Sequence, residues 1–160
     1  MALRLIYLYG DLMNLYGDRG NIIALQRRCS WRGIELEVVE ATTGDRIDPA
    51  RSDLFFFFYH DTTYMPVDRA QMDKKLFAAL KPGGFLIVAD HSAKPGEGTS
   101  VGKTNHRIEE STLRGEVEAA GFKLVDSGDF LRHPEDPRDF NVNRPTGPVD
   151  NFVLKFQKPN

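Results

Sequence analysis

Two dipeptides gather most of the side chains in this chain that could do chemistry. His60-Asp61 closes the stretch SDLFFFFYHD, and Asp90-His91 closes the stretch FLIVADH. Each follows an apolar run of strand length, so adjacent strands would bring two imidazoles and two carboxylates together at one end. Such a group suits acid–base work or a divalent cation. The competing account is local hydrogen bonding or contact with water. No metal site is expected, because the residues do not recur at metal-ligand spacing. Cys29, the sole cysteine, falls mid-helix on an apolar stripe with Ile22 and Leu25. That position predicts a buried structural thiol rather than a nucleophile. The loop KPGEGTSVGKT and the following His106-Arg107 have the composition of an anion-binding loop, but lack the spacing of a phosphate-binding loop after a strand.

The elements that must position these residues follow from periodicity. Residues 3–9 form an apolar run ending at Gly10 and Asp11, typical of a strand covered on both faces. A helix over 21–33 can close on Gly33 in a left-handed cap. Residues 34–40 alternate as a strand ending at Glu40. Residues 41–52 are too polar and too short for a crossover helix, and 54–59 form the third strand. Asp68 caps a helix over 68–80 that Pro82, Gly83 and Gly84 stop. Residues 85–89 are a fourth buried strand, 92–107 a long polar loop, and 109–120 a helix. Strands near 122–131 and 151–159 are expected to pair antiparallel across a Pro-rich loop. Trp31 and Phe122 read as packing residues rather than cofactor platforms.

This order predicts a three-layer α/β/α sheet, Rossmann-like or flavodoxin-like and mostly parallel. About six strands are expected, with the C-terminal strand antiparallel. Ligands in such sheets bind beyond the C-terminal strand ends, which here are Gly10-Asp11, Glu40, His60-Asp61 and Asp90-His91. At 160 residues the chain suits a single α/β domain spanning 1–160. A net charge of -2 gives no attraction for nucleic acid or an anionic membrane. No apolar run reaches the roughly 20 residues of a membrane span. One cysteine excludes an internal disulfide and a Cys-based cage. A cytoplasmic monomer with no obligate partner is expected.

Two resemblances divide the chain. Over residues 3–56, MNLYGDRGN followed by RRCSWRGIE resembles the glutaminase subunit of lipid II isoglutaminyl synthase, a cobyric-acid-synthase-like glutamine amidotransferase of flavodoxin-like fold. Over residues 57–159, YHDTTYMPVDRAQM, FAALKPGGFLIVADHSAKPGEGTS, HRIEESTLRGEVEAAGF and FVLKFQKP resemble the C-terminal half of a bacterial class I S-adenosylmethionine-dependent methyltransferase. The first resemblance implies a catalytic cysteine downstream of the matching fragment, and none stands there, so glutaminase chemistry is excluded. The second implies that Tyr59, His60, Asp61, His91 and Ser92, with Asp90 beside them, line a substrate pocket. It also implies a glycine-rich cofactor loop after the first strand and a ribose-binding acid after the second. Gly10, Asp11 and Glu40 occupy those places. The loop departs from the family pattern, since Leu12, Met13, Leu15 and Tyr16 stand between its glycines.

The expectation taken forward is an engineered or recombined chimera, 1–56 from one parent and 57–160 from the other, without evolved catalytic activity or an assigned cofactor. The alternatives are a methyltransferase that binds S-adenosylmethionine through a modified loop, and a partner-binding amidotransferase-like module. The join falls in SDLFFFFYHD, whose phenylalanines would form a central strand; joined there, the flavodoxin-like and methyltransferase-like sheets imply the strand order 2-1-3-4-6-5. Replacing a fully buried Phe56 or Phe57 with Ala would then cost about 3–5 kcal/mol.

Overall fold

The computed structural model describes residues 2–8, 18–42, 45 and 54–160. Its elements are β1 (Ala2–Leu8), α1 (Asp18–Ser30), β2 (Glu35–Ala41), β3 (Leu54–Phe57), α2 (Arg69–Ala79), β4 (Phe85–His91), α3 (Gly102–Asn105), α4 (Glu110–Ala119), β5 (Lys123–Gly128) and β6 (Asn151–Gln157). The six strands form one sheet in the order β2-β1-β3-β4-β6-β5, the order implied by the two resemblances when joined at the third strand. β1 pairs in parallel with β2 and β3, and β3 with β4. β6 runs antiparallel to both β4 and β5, so the sheet is mixed.

Local chemistry accounts for the boundaries. Gly33 adopts φ +64 just beyond α1, and the Ile34 N–H reaches back to the Cys29 carbonyl at 2.9 Å. This is the left-handed cap that a side chain would disfavour. Asp68 caps α2 by accepting the Gln71 N–H at 3.0 Å. β4 and β6 alternate strictly between buried and half-buried residues, the period-two signature of a strand with one better-covered face.

Helices lie against both faces of the sheet. Leu76 and Leu80 at α2, and Leu113 and Val117 of α4, pack with Leu86, Val88, Phe152, Leu154 and Phe156. On the other face Leu5 and Ile22 form a smaller cluster with Leu25, Leu36 and Val38. Leu5 and Ile6 are consecutive on β1 yet belong to opposite clusters, as strand geometry requires.

Three features differ from the sequence reading or lie beyond it. Trp31, expected as packing, is 76% exposed, because it follows α1 in the turn rather than sitting on its inner face. The loop after β4 is not uniformly irregular: it holds the short helix α3 and a parallel bridge between Ser92 and Ile108. β3 occupies the central place foreseen for the phenylalanine run. The side chains at 54–57, like Gly10 and Asp11 in the loop after β1, lie outside the described residues.

Candidate functional site

Asp90 organises the C-terminal end of the sheet. It is 1% exposed at the end of β4. Its Oδ2 accepts the backbone N–H groups of Tyr59 at 2.9 Å and His60 at 2.7 Å. Its Oδ1 accepts the His91 N–H at 2.7 Å and lies 2.6 Å from His60 Nδ1. A carboxylate placed there takes over the backbone donors that β3 leaves unsatisfied as it ends. The chain then turns at once into a 3-10 segment, His60–Thr63. His60 is thereby fixed at backbone and ring by one buried acid. With Nδ1 donating to Asp90, Nε2 is directed to Asp61 Oδ1, 3.1 Å away.

A cleft of about 230 Å³ opens above these residues, lined by Phe58, His60, Asp61, His91, His106, Val142 and Asn143. His91 stacks on Phe58 with ring centroids 5.8 Å apart. Its Nδ1 pairs with Asn151 Oδ1, its register partner on β6. The Asn151 amide nitrogen donates to the Val149 carbonyl at 2.8 Å, which orients the amide oxygen toward His91. His91 is therefore the donor through Nδ1, and Nε2 carries the lone pair. His106 comes from α3, 5.5 Å from the His60 ring and perpendicular to it.

α3 reaches the cleft because Gly102 lets it. A Cβ on Gly102 would lie 2.0 Å from Thr63 Oγ1 and 3.3 Å from the His60 carbonyl. Thr63 Oγ1 is itself held by donating to that carbonyl at 2.7 Å. His106 ends α3 with φ 54 and ψ 50, a left-handed conformation usually filled by Gly or Asn. A histidine there is less relaxed than a glycine, and from it the ring Nδ1 lies 3.8 Å from Asp61 Oδ1.

The electrostatics separate the two cleft histidines that follow the strands. Burial opposes charge on His60, but Asp90, and next the hydrogen bond to Asp61, outweigh it and push its pKa up to about 10. Burial lowers His91 below the ordinary histidine range despite Asp90 and Asn151. Asp61 is held below the usual carboxylate range: burial raises it, and the His60 hydrogen bond and charge overcome that. Pairs of titratable groups pushed apart in one cleft are a common mark of acid–base sites.

Of the residues singled out in the sequence, His60, Asp61 and His91 line the cleft, and Asp90 supports it from below. Tyr59 does not line it. It is fully buried and turns to the other side, where its hydroxyl lies 2.8 Å from Asp73 Oδ2 and 2.6 Å from Glu116 Oε2. The reason is the bend after β3, where Tyr59 adopts a helical conformation (φ -83, ψ -34) and opens the 3-10 segment, which sends Tyr59 and His60 to different sides. Ser92 is also elsewhere: its carbonyl accepts Arg107 Nη1 at 2.9 Å and its Oγ accepts from Arg132 at 3.3 Å. Arg107 is no anion-binding residue of a loop, since it is fully buried against Asp136 at 2.7 Å. Glu40 is exposed near the end of β2, opposite Tyr7 of β1. Sequence reasoning missed Phe58, Val142 and Asn143 as cleft residues and misplaced His106. No local pattern ties positions 106 and 142 to position 60.

No protein-family model matches the chain. Among curated proteins, the GatD subunit of the glutamine-hydrolysing lipid II isoglutaminyl synthase of Staphylococcus aureus (strain N315) is 41% identical over 54 residues, 34% of this chain and 22% of that protein. The chain thus spans about a fifth of the length of the curated relative it matches. Solved structures align over nearly all of it. A methyltransferase candidate in complex with the Haloferax volcanii Trm112 methyltransferase activator has a TM-score of 0.59 at 13% identity, covering 98% of this chain and 83% of that one. An S-adenosylmethionine-dependent methyltransferase from Thermotoga maritima gives 0.53 at 17%, covering 97% and 82%. The [4+2]-cyclase SpnF gives 0.56 at 15%, covering 99% and 75%. The fold is therefore a methyltransferase-like α/β fold. Among the described residues no helix is long and apolar enough to cross a membrane.

Proposed function

We propose that the chain is a cytoplasmic methyltransferase-like enzyme that binds S-adenosylmethionine over the ends of β1 and β2 and seats a methyl acceptor in the histidine-lined cleft. The observation that carries this reading is the place of the cleft. It opens beyond the C-terminal ends of β3 and β4, the side of an open α/β sheet where ligands bind. Glu40, exposed near the end of β2, fits the acid that would hold the ribose hydroxyls. Gly10 and Asp11, which follow β1 in the sequence, are the cofactor-binding candidates carried over from the resemblance. The cofactor supplies an electrophilic methyl group on a sulfonium. The chain's own part is to orient the acceptor and take its proton. His91 suits the second task, because Asn151 engages Nδ1 and leaves the Nε2 lone pair as the acceptor. Phe58 and Val142 give the cleft its apolar walls.

A second reading is a two-parent chimera, 1–56 and 57–160, that folds without turnover. It is favoured by the curated match, which covers only 34% of the chain and belongs to an amidotransferase subunit, and by the bulky Leu12, Met13, Leu15 and Tyr16 in the sequence that follows β1. Titration calorimetry with S-adenosylmethionine separates the two. Micromolar binding, weakened about tenfold by Glu40→Ala, supports the enzyme. No heat at millimolar cofactor removes it and leaves the inert chimera.

A further inference from the structure

We propose that His60, Asp61 and His106 form a binding site for a divalent transition-metal ion, with the adjoining cleft supplying its open coordination positions. One ligand atom from each residue lies within 4.8 Å of the other two. His60 Nε2 is 3.1 Å from Asp61 Oδ1, and His106 Nδ1 is 3.8 Å from the same oxygen. Around an ion with bonds of about 2.1 Å, tetrahedral ligand atoms stand roughly 3.4 Å apart. Two edges of the triangle already bracket that value, and the third, between the imidazoles, is within 4.8 Å.

The surroundings match what such a site needs. A metal-bound imidazole usually donates its other ring N–H to a carboxylate, which fixes ring and tautomer. His60 does this with Nδ1, 2.6 Å from Asp90 Oδ1. Asp90 itself is not a ligand, since its two oxygens are occupied by three backbone N–H groups and that ring. The Tyr64 hydroxyl donates to Asp61 Oδ1 and orients the carboxylate. All three ligand side chains are largely buried, 6% exposed for His60, 13% for Asp61 and 19% for His106. Two nitrogens and one oxygen select zinc, cobalt, iron or manganese over magnesium or calcium, which take oxygen cages. Three protein ligands beside a cleft are the pattern of an exchangeable site, whereas a structural site closes with four. Water or an oxygen donor entering past Asn143 would complete the sphere.

The site explains two oddities of the fold. A histidine occupies the left-handed end of α3, where Gly or Asn would be relaxed, and a glycine at 102 brings that short helix against His60. Both serve to deliver one imidazole to Asp61.

The test uses tag-free, chelator-stripped protein titrated with Co²⁺ without any cofactor, following the visible absorption of the bound ion. One saturable equivalent with micromolar affinity is expected. Asp61→Asn and His106→Gly should each weaken it at least tenfold while circular dichroism stays unchanged, and excess Mg²⁺ should not compete. No saturable band, equal titration of wild type and both variants, or displacement by Mg²⁺ at equal concentration would each overturn the site. The proposed S-adenosylmethionine binding is measured separately, so either can fail without the other.

Discussion

The end of β4 separates two clusters made from the same materials, buried acids and cationic side chains, and they behave differently because one is closed and the other faces a cleft. In the closed cluster Arg107 donates to the carbonyls of Ser92 at 2.9 Å and Phe140 at 3.3 Å, and to Asp136 at 2.7 Å. Asp136 also accepts the backbone N–H groups of Asp150 and Arg138. Asp150 takes Arg138 Nη2 at 2.7 Å and the His133 N–H at 2.8 Å. These ties hold the long segment between β5 and β6, which has no helix or strand of its own. In the open cluster Asp90 is equally saturated, but Asp61, His91 and His106 border a cavity. A network closed on itself fixes a loop, and one that borders a cavity can meet a ligand.

The largest expected effect breaks the closed cluster. Arg107→Ala leaves Asp136 buried without its cation, which should cost about 3–5 kcal/mol and move the urea midpoint down sharply. Loss of under about 1 kcal/mol would mean that the segment between β5 and β6 is held by other contacts. Gly102→Ala sharpens the open side. Its Cβ must displace Thr63 or α3, costing about 1–3 kcal/mol, and His106 should leave the Asp61 carboxylate. His106 ring NMR shifts and a ring contact to Tyr64 that stay as in the wild type would contradict this.

A third network, behind Tyr59, stands between the two. Its hydroxyl lies within hydrogen-bonding distance of both Asp73 and Glu116, yet it has one hydrogen, and Arg69 is bonded through two nitrogens to Glu116. Burial, the largest cause, raises the Asp73 pKa to about 6, and a protonated Asp73 can donate where the phenol cannot. The folded state then binds more protons than the unfolded chain, so stability should fall as pH rises from about 4 to 6. Asp73→Asn, always a donor, should flatten that slope in denaturation midpoints taken across the range. The smallest effect is expected at the strained helix end. His106→Gly relieves the left-handed conformation and should raise stability by up to about 1 kcal/mol, even as the cleft loses an imidazole. A loss of stability instead would show that the ring contributes more to folding than its backbone costs.

How much of this was legible beforehand follows from which forces are local. The apolar runs, the Asp68 cap, Gly33 and the buried position of Cys29 are set by neighbours within a few residues, and the sequence alone determined them. The strand order was implied by the two resemblances joined at the third strand. The α/β pattern brought His60-Asp61 and Asp90-His91 to one end, because strand ends are set by where apolar runs stop. The sides to which Tyr59 and Ser92 turn were not legible, since they depend on how the backbone bends after the strand. Trp31 looked like a packing residue because composition cannot distinguish the last turn of a helix from the turn beyond it. Only the tertiary structure decided that Asp90 would hold the His60 ring, that Asn151 would set the His91 tautomer, and that His106 would cross from α3 to meet Asp61. Those contacts join residues 30 to 60 positions apart, and no periodicity encodes them. They exist because Gly102 permits a close approach and because a buried carboxylate must find donors wherever the fold supplies them.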